Sequence, residues 1–120
     1  HDHVDWCHLD AAGRQREFST ARDKLALLAG QPIRHAAAPF GLYNRHTLQY
    51  LRGLGFDRLY TSDRGMARGT AFILPRNCLE GRMSRAAITS ALHGRVPTAR
   101  WPRRLLGIAR KRLLPLGAAP

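Results

Sequence analysis

Ala38-Pro39-Phe40-Gly41 is the feature that most constrains the fold. A short run of small residues, Ile33 to Ala38, enters the turn. Asn44 then opens a helical pattern in which Leu48, Leu51 and Leu54 share a face. Gly55 stops that helix and Phe56 folds back on its last turn. Leu59 to Thr61 follows as a second strand. Strand, Pro/Gly turn, capped helix, Gly stop and strand together specify a parallel pair with a helical crossover. In such sheets the turn at the carboxyl end of a strand is where ligands sit.

The flanking segments extend the alternation. Asp10 is a good N-cap for a helix running to about Ala29, with Phe18, Ala21, Leu25 and Leu28 on one apolar face. Gly30 and Pro32 end it. Ala71 to Leu74 reads as a third strand stopped by Pro75. Ser84 caps a further helix to about His93, with Ile88 and Leu92 facing inward and Gly94 as its stop. The expected class is α/β, with parallel strands and helices outside. At 120 residues there is room for one modest core. No apolar run reaches transmembrane length and no signal-peptide pattern opens the chain, which leaves the compartment open between cytoplasm and a membrane surface.

Charge divides the chain unevenly. Of a net charge of +12, residues 1–80 hold 11 Arg/Lys against all 8 Asp/Glu, and residues 81–120 hold 9 Arg/Lys and no acid. The boundary between an expected core (1–94) and a basic tail (95–120) falls near Gly94 to Pro97. From Trp101 to Leu114, projection at about 100° per residue puts Trp101, Leu105, Leu106, Ile108, Ala109 and Leu113 on one side. Arg103, Arg104, Arg110 and Lys111 fall on the other, while Arg112 interrupts the apolar side. Pro97, Pro102 and Pro115 bracket this segment and keep any helix short. Three uses suit it: an anionic membrane surface, packing of the leucines on the parent domain, and, last, nucleic acid, for which no recognised fold or stacking array is present. Cys7 and Cys78 lack Cys-x-x-Cys spacing and read as free thiols.

The turn, the Gly55-Phe56 stop, the segment Thr61-Ser62-Asp63-Arg64-Gly65 and His3-Val4-Asp5-Trp6 occur in an order that resembles the polysaccharide deacetylases of the NodB-homology class. The resemblance spans roughly residues 3 to 80. It implies part of a distorted (β/α) barrel, the back half of a catalytic domain, and removal of N-acetyl groups from a polysaccharide or oligosaccharide. It implies a divalent metal, usually zinc, that polarises the acetamide carbonyl and activates a water. His3 corresponds to the last histidine of the family's His-x-x-x-His pair, the first falling before residue 1. Trp6 then shapes the rim, Pro39, Phe40, Gly41 and Tyr43 form the sugar-binding turn, and Asp63 is a supporting hydrogen-bond acceptor.

Departures from the family matter as well. Ala37 occupies the position where many members carry an arginine. No Thr-Phe-Asp-Asp-Gly segment supplies a general base and metal aspartate, and no Leu-x-His is evident, Leu92-His93 being a poor imitation. Weak or absent activity by these 120 residues alone is therefore expected, with an exposed sheet edge where further strands would pair. Plainer roles stand beside each reading. The turn also serves as a simple connection, Asp63 as a turn-former before Gly65, and His1 and His3 as a two-histidine metal pair or as fraying terminal residues.

Overall fold

The structure, a computed structural model, describes residues 2–113. Its first helical rod comprises α1 (Ala11–Arg14), a widened π-helical turn (Gln15–Thr20) and α2 (Ala21–Ala29). Asp10 caps it through Oδ1, which accepts from the Gly13 amide at 2.7 Å. The widened turn faces inward: Glu17, Phe18 and Ser19 are all buried there. Beyond it α2 carries no buried residue. The expected apolar face therefore splits, with Phe18 in the core while Leu25 and Leu28 stand 53 % and 84 % exposed. The extra residue accommodated by a π turn rotates the register, so the spacing that reaches the core at Phe18 no longer points there one turn later.

Three short strands, β1 (His35–Ala37), β2 (Arg58–Thr61) and β3 (Ile73–Pro75), form a parallel sheet in the order β1-β2-β3. Ala36 pairs with Leu59, and Tyr60 with Leu74. Helix α3 (Arg45–Gly53) makes the crossover from β1 to β2, whereas the β2–β3 connection carries no helix. Asn44 caps α3 by accepting from the Thr47 amide at 2.9 Å. At its other end Phe56 N–H donates to Leu51 O and Gly55 N–H to Arg52 O, a Schellman stop that needs the φ of 78° at Gly55.

The core lies where α3, the widened turn and β2 meet: Phe18, Tyr43, Leu48, Leu51, Phe56 and Leu59, with Ala38 below the turn. Trp6, Leu9 and Ile33 pack around its edge. Arg22 joins the rod to the end of α3, donating to Leu54 O at 2.7 Å. Only one face of β1 is covered. Ala36 is half-buried and Ala38 buried, but His35 and Ala37 are exposed. The architecture is thus α/β, as expected, with helices against one side of that strand.

The remainder closes back over the sheet's carboxyl edge. Asn77 clamps Gly65 with two hydrogen bonds of 2.9 and 3.0 Å. Helix α4 (Arg85–Leu92) is capped by Ser84, but its Leu92 is 69 % exposed rather than inward-facing. Helix α5 (Trp101–Leu113) has 13 residues, longer than the bracketing prolines suggest, because Pro102 occupies its first turn, where no N–H is needed. Leu114 and Pro115 lie outside the described residues. No helix among the described residues is long and apolar enough to cross a membrane.

Candidate functional site

Parallel pairing brings the turns after β1 and β2 side by side at one edge. The approach is closest at Gly41, whose φ is 70°. A Cβ there would lie 1.7 Å from Ser62 Oγ and 2.9 Å from Ser62 N, so only glycine allows the two turns to close. Its neighbour Phe40 also adopts a left-handed conformation (φ 54°), which turns the ring outward to 66 % exposure. The His3 ring meets Phe40 edge-on with centroids 4.9 Å apart. Among the described residues the non-glycines with positive φ are His3, Phe40 and Arg64, and all three lie at this edge. Such conformations cost on the order of 1–2 kcal/mol each and cluster where function demands them.

Asp63 sits in the notch between the turns, its side chain only 5 % exposed. Tyr43 Oη donates to Asp63 Oδ2 at 2.5 Å, and Lys111 Nζ donates to Oδ1 at 2.7 Å. The same ammonium donates to Gly41 O at 3.0 Å and lies 5.1 Å from the Tyr43 ring centroid. Lys111 thus reaches from α5 to join both turns. Burial pushes the Asp63 carboxyl upward, but hydrogen bonds from Lys111 and Tyr43 and the Lys111 charge outweigh it, leaving the pKa below the ordinary value. Burial, then the hydrogen bond to Asp63, raises the Tyr43 phenol well above its usual range. At neutral pH Asp63 is therefore a carboxylate and Tyr43 a phenol. With its pKa lowered and each oxygen already accepting a hydrogen bond, Asp63 suits electrostatic support better than proton abstraction.

The other residues singled out from the sequence fall into two groups. Pro39 and Gly41 are buried in the turn and Phe40 projects from it. Tyr43 is fully buried, so it acts through its hydroxyl on Asp63, and Phe40 carries the open aromatic face. Trp6 packs edge-on against Phe18 with centroids 4.7 Å apart, and its buried Nε1 has no hydrogen-bond partner among the described residues. The Trp6 and Cys7 carbonyls are tied to the start of α3 by Thr47 Oγ1 and Asn44 Nδ2, at 3.4 and 3.1 Å. Cys7 is a free thiol pushed up to about 12 by burial and by its hydrogen bond and charge interaction with Asp5, which makes it inert. His93 caps the end of α4 with Nδ1 2.8 Å from Thr89 O.

His3 is the only one of the three metal ligands implied by the family that maps to these residues. Among the described residues no group of three His, Cys, Asp or Glu side chains could hold an ion, and His1 lies outside them. An exposed imidazole leaning on a phenyl ring does not by itself make a metal site.

Sequence reasoning missed Lys111 and Arg104. Arg104 Nε donates to Asp63 O at 3.0 Å and its Nη2 to Arg64 O at 2.9 Å. Arg104, Gly107, Ile108 and Lys111 are the half-buried positions of α5 at helical spacing, together with Ala109. Leu105, Leu106 and Leu113 are 51 %, 72 % and 73 % exposed. The helix docks through Arg104 and Lys111 beside Gly107, Ile108 and Ala109 and leaves its three leucines outside, the reverse of the expectation that they pack on the parent domain. The signal was Asp63 itself: a carboxylate buried between two turns requires a cation, and the acid-free tail supplies several. Comparison with known proteins adds no relative, since no family model, no curated protein and no solved structure matches the chain.

Proposed function

We propose that these residues are the later part of the catalytic domain of a metal-dependent hydrolase that removes N-acetyl groups from a polysaccharide or oligosaccharide. In this reading the three-stranded sheet belongs to a distorted (β/α) barrel of the polysaccharide deacetylase type. The observation that carries it is the junction of the Pro39–Gly41 turn with the Asp63 loop at the sheet's carboxyl edge, with His3 against Phe40. Phe40 offers a pyranose an exposed apolar face. Asp63, held ionised by Tyr43 and Lys111, fixes the loop beside it. His3 is one ligand of a divalent metal, zinc by preference for imidazole, whose other ligands and general base come from chain outside the described residues.

Free-amine release from N-acetylated oligosaccharides, with zinc added, tests this on the longest gene product that contains the chain. Turnover abolished by His3→Ala supports the reading. Unchanged rates in that variant, or no turnover at all, overturn it.

One observation favours a second reading, a non-enzymatic basic module on an anionic membrane surface: Leu105, Leu106 and Leu113 are exposed beside Arg103, Arg110 and Arg112. It is the weaker of the two, because Arg104 and Lys111 already serve the docking of α5.

A further inference from the structure

A cavity of about 460 Å³ opens beside the notch, between the loop after β2 and the start of α5. Arg64, Arg100, Arg103, Arg104 and Lys111 line it, against the single carboxylate of Asp63. Lys111 is neutralised by that carboxylate at 2.7 Å. None of the four guanidinium groups has a carboxylate within ion-pair distance among the described residues. Four guanidinium groups around one concavity repel one another, and only Arg104 repays the fold, through its bonds to the Asp63 and Arg64 carbonyls. Their convergence makes sense when an anion is the missing partner.

The cavity is also partly preorganised. Arg104 is anchored by the Asp63 and Arg64 carbonyls, so its charge is fixed at the cavity wall without being neutralised. Arg64 is aimed by a left-handed backbone (φ 56°). Planar guanidinium forks match the two-oxygen edge of a carboxylate or phosphate, and a concave cationic site concentrates the field. The volume lies within the range of small-ligand sites and suits one or two sugar units better than a long polyanion, which needs an open track.

We infer that this cavity binds an oxyanion, and, resting on the deacetylase reading, that the substrate is an N-acetylated sugar carrying a phosphate or carboxylate. Ser62 and Asp63 border both the cavity and the turn junction, so a sugar resting on Phe40 extends its anionic group toward the arginines.

Titration calorimetry of the chain at low salt with N-acetylglucosamine 6-phosphate, N-acetylglucosamine and inorganic phosphate tests the inference. Arg100→Ala/Arg103→Ala is the informative variant, since both residues are exposed and neither side chain makes a hydrogen bond to another described residue. The phosphosugar should bind about tenfold or more tightly than the neutral sugar, and the double variant should remove that preference while Arg100→Lys/Arg103→Lys keeps part of it. Equal affinity for phosphorylated and neutral sugar overturns the anion site and leaves the deacetylase reading standing. Equal affinity for phosphosugar and inorganic phosphate, lost in the alanine variant, upholds the anion site and counts against the glycan reading alone. Binding of anionic vesicles or duplex DNA that the double variant retains, without phosphate binding, overturns the inference in favour of a surface polyanion.

Discussion

Residues up to Gly65 and residues from Met66 onward are held by different physics. Among the described residues, every buried one lies from Gly13 to Gly65, and none lies between Met66 and Leu113. The first region has an apolar core closed by capped helices. The second adds only the half-buried Phe72 and Ile73 to that core and is otherwise attached through strand pairing of β3, the Asn77–Gly65 clamp and the reach of Arg104 and Lys111. Apolar burial is non-directional and offers no charge to titrate or screen, whereas charged hydrogen bonds depend on both pH and ionic strength. The candidate site sits at the seam, with a rigid floor from the core and a cationic wall from the attached segment.

The largest effect belongs to the core. Leu51→Ala, at a fully buried position, should destabilise by about 2–5 kcal/mol and unfold both regions together in a urea titration. Survival of the first region in that variant would break the contrast. Asp63→Asn is next: it leaves Lys111 without its counter-ion and should cost on the order of 3 kcal/mol. Hydrogen exchange should then show α5 released while α3 stays protected, and equal loss in both would refute a two-part molecule. Gly41→Ala forces apart the turns after β1 and β2 and should cost about 2 kcal/mol. Adding Ser62→Gly should recover only part of this, because Ser62 N remains 2.9 Å from the new Cβ.

The pH response follows from the lowered Asp63 pKa. A carboxyl depressed by folding contributes stability that is fully present above its unfolded value, about 3.9, and is lost as pH falls through the folded value. Trp101 fluorescence should therefore report α5 in place from neutrality down to about pH 5 and released in stronger acid. Release already at pH 6 would mean that Asp63 does not hold it. The smallest effect is Phe40→Gly, which relieves a left-handed phenylalanine and should stabilise by roughly 1 kcal/mol while removing the exposed ring. A decrease in stability would show that the His3–Phe40 contact outweighs the backbone strain.

Local chemistry was legible where one segment decides its own shape. Asp10, Asn44 and Ser84 cap the helices they were expected to cap, because a side-chain oxygen reaches an amide only three residues on. The strand-turn-helix-strand order is readable for the same reason, since Pro39, Gly41 and Gly55 act on their own backbones. Leu25, Leu28 and Leu92 were misplaced because periodicity identifies an apolar face without saying what covers it. The site was legible in part: the turn and Asp63 could be found, but the ammonium that completes them lies 48 residues further along.

The amino-acid sequence alone determined the helix caps and stops, the parallel strand order around Pro39–Gly41 and the concentration of positive charge after residue 80. Those features depend on interactions across a few positions or on composition, and neither requires knowledge of long-range neighbours. Tertiary structure decided that Lys111 faces inward on Asp63 and that the leucines of α5 face out. The physical reason is that a carboxylate removed from water between two turns demands a cation more strongly than a few exposed leucines demand cover.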